Sequence, residues 1–353
     1  MNGTDGLRIA WLVQGSLEQT TGGYIYDRTI VEGLRGAGDA VEVVALERAN
    51  ISDDALRSAA FDAVVGDELC FAELLQVFRG VPSRVLRAVV VHHLSGWELA
   101  GSMEGRRLLD RERALLDQSH LCFATSRATG CRLRAEGFVR DVIVAEPGAD
   151  RLPRVHRTRT ATPAVHLLFV GNLIPRKRLL DLLNVVETLR AFDMELVVAG
   201  GSERDPRYAE EVRLAIGRSP WLSKCVTLAG TIDDRALATE LAHADGLVLP
   251  SSLEGYGMVL AESLFAGVPV ISTSVGAAPD IVRSGENGLL VAPDDMSAFG
   301  AALRAFVGSP SLRAHLRRNA ANDGERLPSW KDAVRTFRAT LARSIVRMRV
   351  HSA

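Results

Sequence analysis

The 353-residue sequence carries 42 basic and 43 acidic side chains, so its formal net charge at neutral pH is −1. This balance argues against a nucleic-acid-binding protein, which usually shows a clear excess of basic residues. The chain is long for one hydrophobic core, so two domains are expected. Hydrophobic residues make up 47% and charged residues 24%, as in ordinary soluble globular proteins.

The four cysteines, Cys70, Cys122, Cys131 and Cys225, are far apart and form no C-x-x-C pair. This spacing favours buried thiols in a reducing compartment over disulfides or metal ligands. No run of about 18 apolar residues occurs that would predict a membrane-spanning helix, and the first residues resemble a strand more than a signal peptide. We therefore expect a cytoplasmic protein and leave open a peripheral contact with the inner membrane surface.

Short β-branched runs alternate with helical patterns along the chain. Most of these runs are continuously apolar, which is typical of parallel strands covered by helices on both faces. Six runs precede a central linker and six follow it, the number expected for two Rossmann-like halves. The predicted strands are Leu7–Val13, Val41–Leu46, Ala63–Gly66, Arg87–His93, Leu121–Ser126, Val142–Pro147, His166–Gly171, Met194–Gly201, Lys224–Gly230, Gly246–Ser251, Pro269–Ser274 and Gly288–Pro293.

The segment Gly148–Ala164 is rich in Arg, Thr and Pro and has neither a helical nor a strand period. It is interpreted as an exposed interdomain linker, although its arginines could also contact phosphate or anionic lipid. Trp330 opens a final amphipathic helix with apolar positions at Val334, Phe337, Leu341 and Ile345. We therefore predict domains at residues 1–155 and 156–329, followed by a C-terminal helix at 330–353.

Two features of the first half are candidate ligand contacts. Gly22 and Gly23 follow the first strand and precede a helix, where their backbone N–H groups could approach an anion, although a plain turn is an alternative. The full G-x-G-x-x-G motif and a suitably placed acidic residue are both missing, which argues against an NAD enzyme. His92 and His93 follow a strand, where ligands bind in open α/β sheets. They could equally be ordinary loop histidines, and because neighbouring strand residues point to opposite sides, we predict no metal site.

The second half contains a basic motif after a strand, GNLIPRK at Gly171–Lys177. Arg176 and Lys177 would lie at the N-terminal end of a predicted helix Arg178–Leu189, where cations are unfavourable unless they share an anion. A diphosphate would satisfy both the cations and the helix N–H groups. An ordinary solvated basic pair is the alternative interpretation.

The most informative stretch is 253–276, which carries Glu254 and Glu262 eight positions apart. Glu262 falls within an otherwise apolar predicted helix, Met258–Ala266, where a buried carboxylate needs a partner. An ionised carboxylate accepts two hydroxyl protons, so a ribose diol is a fitting partner. Gly255 and Gly257 would let the loop approach phosphates at the helix N-terminus, and Glu254 would lie near a sugar. A salt bridge for Glu262 and a capping role for Glu254 remain as alternatives.

These motifs together resemble the retaining glycosyltransferases of family 4, which have the GT-B fold. The resemblance is carried by EGYGMVLAE at 254–262, AGVPVISTSVGAAPDIV at 266–282, FVGNLIPRK at 169–177, VLPSSLEGYG at 248–257 and ENGLLVAPDD at 286–295. It extends over most of the chain, because the Gly-Gly loop and a tryptophan before the closing helix also match. It implies an α/β protein of two Rossmann-like domains with parallel sheets facing a cleft, in which the closing helix returns to the first domain.

The resemblance also implies residue roles. Arg176 and Lys177 would bind the donor diphosphate, Glu262 the ribose hydroxyls and Glu254 the donor sugar. His92 or His93 would touch the donor sugar or the acceptor, so the candidate catalytic residues are Glu254, Lys177 and these two histidines. The remaining candidate donor contacts are Gly22, Gly23, Gly171, Asn172, Gly230, Thr231, Ile232, Gly255, Tyr256, Gly257, Met258 and Val259.

The chain departs from the family pattern at several of these positions. Asn172 stands where many members have arginine, Arg178 replaces the usual glycine, and Tyr256 replaces the commoner phenylalanine. Ala277 with Ala278 stands in place of a frequent glycine pair, and residues 147–150 read PGAD where a Pro-Asn-Gly pattern is usual. These departures bear on donor identity more than on fold.

The predicted activity is retaining transfer of a sugar, of the hexosyl class, from a nucleoside diphosphate sugar to an acceptor hydroxyl. It requires no metal ion and no cofactor. The alternatives are a non-catalytic sugar-nucleotide-binding subunit and a GT-B-like epimerase or hydrolase. The acceptor would be chosen by first-domain loops that carry Tyr24, Tyr26, Glu68, Trp97 and Glu98. Their mixed polar and aromatic character favours a glycan or small polar acceptor.

Overall fold

The computed structural model describes residues 6–46, 61–138, 141–153, 155 and 164–352. The chain divides into two compact units. One comprises Met1–Pro147 together with Ser329–Ala353, and the other comprises Gly148–Pro328. The described residues of each unit form one six-stranded sheet.

The sheet of the first unit is parallel throughout, with strand order β2-β1-β3-β4-β5-β6. The chain order reverses at β1, which pairs with both β2 and β3. Central strand β1 is continuously buried from Ile9 to Val13, as expected for a strand with helices on both faces. The strands are β1 Arg8–Val13, β2 Ala40–Ala45, β3 Ala63–Asp67, β4 Leu86–Val91, β5 Leu121–Ala124 and β6 Val142–Val144.

Helices connect these strands within the same unit. A short 3-10 turn, Glu68–Cys70, follows β3, and the side chain of Asp67 caps it by accepting a hydrogen bond from the backbone N–H of Leu69. The helices are α1 Gly22–Gly36, α2 Phe71–Gly80, α3 Ser95–Glu98, α4 Met103–Gln118 and α5 Arg127–Ala135.

The second unit has the strand order β12-β11-β10-β7-β8-β9, again parallel. Counted within the unit this is 3-2-1-4-5-6, the order of a Rossmann fold, and it reverses between β7 and β10. Its strands are β7 Val165–Val170, β8 Met194–Ala199, β9 Val226–Gly230, β10 Gly246–Leu249, β11 Val270–Thr273 and β12 Gly288–Val291. Its helices are α6 Leu179–Glu187, α7 Pro206–Arg218, α8 Pro220–Cys225, α9 Asp234–His243, α10 Met258–Phe265, α11 Ala278–Ile281, α12 Met296–Gly308 and α13 Pro310–Gly324.

The last helix, α14 Trp330–Ser352, belongs to the first unit. Phe337 is fully buried, stacks on Phe123 of β5 with ring centroids 3.8 Å apart, and lies 5.5 Å from the ring of Trp11 in β1. Arg338 bonds both oxygens of Asp39 at 2.8 and 2.9 Å. The apolar spacing seen in the sequence therefore faces the core of the first unit.

Each of the twelve predicted strands is present, and the prediction of two Rossmann-like parallel sheets is confirmed. The predicted strand Lys224–Gly230 was too long at its start, because Pro220 and the Ser219 cap begin helix α8, which ends at Cys225. The helix predicted at Arg178 begins one residue later, after a 3-10 turn at Pro175–Lys177. None of the described helices is long and apolar enough to cross a membrane.

Candidate functional site

The reversal point of the second sheet carries two of the predicted motifs. Neighbouring strands β7 and β10 run parallel, so their carboxyl ends lie at the same edge of the sheet. The loop Gly171–Lys177 follows β7, and the loop 250–257 follows β10. In doubly wound sheets, ligands bind beside the carboxyl ends of the strands at such a reversal. The fold therefore brings together two segments that are about 80 positions apart in sequence.

Glu254 lies at the centre of a hydrogen-bonded group that joins these two loops. Its carboxylate accepts a hydrogen bond of 2.5 Å from Lys177 Nζ and another of 2.6 Å from Ser251 Oγ. A guanidinium nitrogen of Arg176 lies 3.6 Å from its other oxygen and donates to the carbonyl of Leu253 at 2.9 Å. The predicted basic pair and the first glutamate are thus in direct contact.

The charge state of Glu254 follows from these contacts. Burial alone raises the pKa of a carboxyl group, but the positive charges of Lys177 and Arg176 outweigh it and lower the pKa to about 2. The Glu254 side chain is 7% exposed, and those of Lys177 and Arg176 are 14% and 19% exposed. Glu254 is therefore ionised at neutral pH. Because its carboxylate is largely withdrawn from water, its interaction with a charged ligand is stronger than it would be in solution.

The loop that follows Glu254 leads into the N-terminus of α10. Gly257 is the residue before the helix and has φ 78°, a left-handed conformation that glycine adopts without steric cost. Met258 and Val259 form the first turn of α10, so their backbone N–H groups are among those that a helix leaves without internal partners. Tyr256 is buried, and the carbonyl of Gly255 accepts a hydrogen bond from the N–H of Ala277 at 3.2 Å. The geometry suits an anion at the helix N-terminus.

Glu262 lies within α10 and is 3% exposed. Its Oε1 accepts a hydrogen bond of 2.9 Å from Nε of Arg151, which also bonds Asp234, the first residue of α9. Burial raises the pKa of Glu262, and Arg151 opposes that rise. The salt bridge that the sequence left open as an alternative is therefore present, and its partner is a residue that the sequence analysis did not single out.

The interpretation of Gly148–Ala164 as an exposed linker is wrong for its first residues. Ala149 and Leu152 belong to the hydrophobic core of the second unit, and the Arg151 side chain is 10% exposed. The physical reason is that Glu262, itself buried, requires a cationic partner. Residues 154 and 156–163 of this segment lie outside the described part of the chain.

The loops after β7 and β9 also meet, at Gly201. A side chain on Gly201 would place its Cβ 3.1 Å from Thr231 Oγ1 and 3.3 Å from Asn172 Oδ1. The N–H of Leu173 donates to the carbonyl of Gly201, and the N–H of Gly200 donates to the carbonyl of Gly230. The predicted contacts Gly171, Asn172, Gly230, Thr231 and Ile232 therefore lie along the same edge of the sheet as Glu254.

Arg178, which replaces a glycine usual in the family, is the only non-glycine residue with positive φ in the described chain, at φ 54°. A side chain in this conformation costs about 1–2 kcal/mol. Its guanidinium compensates by bonding Asp181 at 2.7 Å and the carbonyl of Pro293 at 2.5 Å. The backbone geometry that favours glycine is retained despite the substitution.

In the first unit, Gly23 and His92 are neighbours. A Cβ at Gly23 would lie 3.1 Å from the His92 ring, so the absence of a side chain there leaves room for the imidazole. His92 Nε2 lies 3.8 Å from Asp27 and 3.7 Å from Asp67. Both aspartates are fully buried, and the sequence analysis singled out neither side chain as functional. Asp67 is the last residue of β3, the strand next to the reversal of the sheet. This position at the carboxyl end of a strand is the feature by which the sequence could have indicated a functional role.

Asp27, Asp67 and His92 offer ligand atoms within 4.8 Å of one another, so the trio could hold a metal ion. Trp11 lowers the pKa of Asp27, but in the described part of the chain Trp11 Nε1, both carboxylate oxygens of Asp27, Asp67 Oδ2 and His92 Nε2 are buried without a hydrogen-bond partner. Burial outweighs this effect and raises the pKa of Asp27 to about 7, and it does the same for Asp67. Burial also lowers the pKa of His92, against the charge of Asp67. The expectation of no metal stays a prediction.

His93 differs from His92 in its surroundings. Its ring lies 2.6 Å from a carboxylate oxygen of Glu98, whereas the backbone N–H groups of both histidines donate to buried Glu68. The expectation that Tyr24, Tyr26, Glu68 and Trp97 face an acceptor is not supported, because all four are at most 5% exposed. They instead bond within the first unit. For example, Tyr26 donates to the carbonyl of Ala145 at 2.9 Å and Trp97 donates to Glu136 at 3.0 Å.

Residues 164–309 match the model of a protein family described as glycosyl transferases group 1. Among curated proteins, the chain is 29% identical over 185 residues to glycogen synthase of Mycobacterium tuberculosis, covering 51% of this chain and 43% of that protein. It is 32% identical over 177 residues to D-inositol 3-phosphate glycosyltransferase of Streptomyces avermitilis, covering 48% and 38%. The matches span less than half the length of these relatives. The predicted resemblance to glycosyltransferases is confirmed at the level of group 1, and the family match lies in the second unit. The assignment to the retaining enzymes of family 4 stays a prediction.

Solved structures resemble the chain over nearly its whole length. Sucrose-phosphate synthase from Thermosynechococcus elongatus has a TM-score of 0.81 at 20% identity, covering 97% of this chain and 99% of that one. Anabaena HepE, solved in complex with UDP-glucose, has a TM-score of 0.76 at 16% identity, covering 97% and 100%. At this level of identity the likeness shows the fold, and it confirms the GT-B class.

Proposed function

We propose that the protein transfers a hexosyl group from a nucleoside diphosphate sugar to an acceptor hydroxyl, with retention at the anomeric carbon. The observation that carries this proposal is the contact of Arg176 and Lys177 with Glu254 beside the N-terminus of α10. Two cations, a glycine loop and a helix N-terminus together suit a diphosphate. The UDP-glucose bound to HepE supports a nucleotide-sugar donor of this kind.

The proposed roles follow from position. Arg176, Lys177 and the first N–H groups of α10 bind the diphosphate, whereas Glu262 accepts the ribose hydroxyls. The edge formed by Asn172, Gly201 and Thr231 receives the base. Glu254, held between Lys177 and Ser251, contacts the donor sugar.

Retention is best explained by a front-face reaction. The bond between the anomeric carbon and the diphosphate oxygen breaks, the acceptor oxygen bonds the same face, and the acceptor proton passes to the departing diphosphate. A double displacement would instead need a carboxylate nucleophile at the anomeric carbon. Glu254 is poorly suited to that role, because Lys177 and Ser251 occupy its Oε1 and its pKa is lowered to about 2, which reduces its basicity.

Arg176 and Lys177 stabilise the charge that grows on the diphosphate as the bond breaks. This cationic stabilisation is the role that a divalent ion plays in other phosphate chemistry, so we propose that the donor diphosphate requires no metal. Activity should accordingly be unchanged after treatment with EDTA. A requirement for added Mg²⁺ would contradict this part of the proposal.

A thermal-shift screen over UDP-, GDP-, ADP- and CDP-sugars tests donor binding, because a ligand raises the melting temperature of the state it binds. The anomeric configuration of the product, read by NMR, then tests retention. Lys177→Met should lower turnover about 100-fold, whereas Lys224→Met, at an exposed lysine of the same unit, should leave it unchanged.

Each other outcome has a defined meaning. Release of free sugar without an acceptor would favour a hydrolase, and conversion of the donor to its epimer would favour an epimerase. Nucleotide binding without product for any acceptor would favour a non-catalytic subunit. Absence of any nucleotide-dependent shift would overturn the proposal.

A further inference from the structure

Arg151 lies in a segment whose backbone is fixed in the second unit. The N–H of Ala149 donates to the carbonyl of Pro328 at 2.9 Å, and Ala149 and Leu152 are both buried in the unit's core. The side chain between these anchors therefore projects from a defined position. It is 10% exposed, which is unusual for an arginine in a loop.

The guanidinium of Arg151 joins two elements that carry proposed nucleotide contacts. Nε bonds Oε1 of Glu262 in α10 at 2.9 Å, and Nη1 bonds Asp234 at the start of α9. Asp234 opens α9 just after Gly230, which ends β9, and the loop residues Thr231 and Ile232. The Arg151 side chain thus connects Glu262, the proposed partner of the ribose hydroxyls, with the end of the segment 230–232, which is proposed to lie near the nucleobase.

Arg151 bonds only one oxygen of Glu262. Within the described part of the chain, Oε1 is the atom that receives the guanidinium N–H, and no side chain of that part bonds Oε2. A carboxylate can accept about four hydrogen bonds in all, so Oε2 retains the capacity to bind hydroxyl groups. The pairing therefore orients the carboxylate without using all of its acceptor sites.

Charge gives a second reason for the pairing. A glutamate that is 3% exposed would favour its neutral form without a cation nearby. A protonated carboxyl group has fewer acceptor sites, and one of its oxygens becomes a donor. Arg151 is the described cation that bonds this carboxylate, and it keeps the acid in the form that accepts hydroxyl protons.

We propose that Arg151 is a positioning residue for the nucleotide. It holds Glu262 ionised and oriented so that Oε2 accepts the ribose hydroxyls, and through Asp234 it fixes the loop at residues 230–232. This inference rests on the proposed function, because it concerns the same donor site. It adds a specificity determinant, the preference for an intact ribose diol, that depends on a residue outside the family's motifs.

The test measures the affinity of wild type and variants for UDP and for 2′,3′-dideoxy-UDP by calorimetry. If another base gives the larger thermal shift in the donor screen, the corresponding pair of diphosphates is used. Hydrogen bonds to charged groups contribute about 1.5–3 kcal/mol, so wild type should prefer the intact ribose by about 10-fold or more. In Arg151→Met this preference should fall to within about twofold, chiefly through weaker UDP binding.

Two further variants separate positioning from folding. Arg151→Lys keeps the charge but loses the fork that spans Glu262 and Asp234, so its ribose preference should be intermediate. Arg213→Met removes an exposed arginine that pairs with Glu210 in the same unit, and its ribose preference should equal that of wild type. UDP binding by Arg151→Met should also strengthen as the pH is raised, because Glu262 then ionises without help.

The results discriminate among the possible roles. If Arg151→Met binds UDP and 2′,3′-dideoxy-UDP more weakly by the same factor, Arg151 has only a structural role and the inference is overturned. Unchanged affinities for both nucleotides would also overturn it. Tighter UDP binding by Arg151→Met would show that the arginine competes with ribose, which also overturns it. If wild type binds no nucleoside diphosphate, the proposed function fails as well. If Arg151→Met does not fold, Arg151→Lys supplies the same comparison.

Discussion

Replacing Glu254 with glutamine tests whether Lys177, Arg176 and Glu254 form one electrostatic unit. The substitution keeps the shape of the side chain but leaves two largely buried cations without their carboxylate. Removing one partner of a buried ion pair costs about 3–5 kcal/mol, because the other charge stays desolvated. We therefore expect Glu254→Gln to lower the free energy of unfolding by about 3 kcal/mol.

The pKa of Glu254 supports a similar magnitude. A decrease from 4.5 to about 2 corresponds to about 3 kcal/mol of stabilisation of the ionised form. Because the folded-state pKa lies below the unfolded-state value, this stabilisation is present above about pH 4.5 and is lost as the pH falls through about 2. At neutral pH the full effect should be measurable.

The assay is urea denaturation at neutral pH of wild type, Glu254→Gln, Lys177→Met and the double variant. Since the two residues are in contact at 2.5 Å, their effects should not add, and a coupling energy of about 2 kcal/mol is expected. Glu210→Gln is the matched control, because Glu210 pairs with Arg213 at 2.7 Å but both side chains are about half exposed. It should change stability by less than about 1 kcal/mol.

Two results would refute this reasoning. A loss below about 1 kcal/mol in Glu254→Gln would show that the pair is as weak as an exposed one. Additive effects in the double variant would show that Lys177 and Glu254 act independently, despite their short contact.

Further predictions concern the rest of the chain. Burial raises the pKa of Asp27 from 3.8 to about 7, so its contribution to stability is present at low pH and is lost as the pH rises through 7. Asp27→Asn should therefore stabilise the protein by up to about 4 kcal/mol near pH 8 but little near pH 4; a pH-independent difference in urea denaturation would contradict this. Gly276→Ala should cost at least about 1 kcal/mol and weaken donor binding, because Gly276 has φ 54° and a Cβ there would lie 2.2 Å from the carbonyl oxygen of Glu254; unchanged melting temperature and affinity would argue against it. Phe337→Ala should cost about 3–5 kcal/mol, whereas Val346→Ala, at a residue of the same helix that is 60% exposed, should cost less than about 0.5 kcal/mol; similar melting temperatures for the two would disprove the packing of α14.

The residues of the local motifs could be found from the sequence, because each motif combines a strand end, a glycine turn and a charged side chain within a few positions. Gly171–Lys177 and 253–262 are motifs of this kind, and the structure places both at the reversal point of one sheet. Contact between their side chains could only be expected from the family resemblance. Lys177 and Glu254 are 77 positions apart, a separation over which a single sequence carries no distance information.

The partners that the sequence analysis missed are distant in sequence or lie in segments without a motif. Arg151 was interpreted as part of a solvated linker, because Arg, Thr and Pro are typical of exposed segments. Its burial depends on Glu262, 111 positions away. Tyr24, Tyr26 and Trp97 were expected near an acceptor because they fall in the first-domain loops, but their polar atoms bond within the first unit instead.

The sequence by itself determined the twelve strands, the division into two Rossmann-like sheets and the family resemblance, because apolar runs and glycine turns depend on neighbours along the chain. The tertiary structure decided which charges neutralise one another. It paired Glu254 with Lys177 and Glu262 with Arg151, and it placed Asp27 and Asp67 against His92. These pairings require buried surfaces from distant segments, since a carboxylate withdrawn from water must find a cation or a proton wherever the fold supplies one.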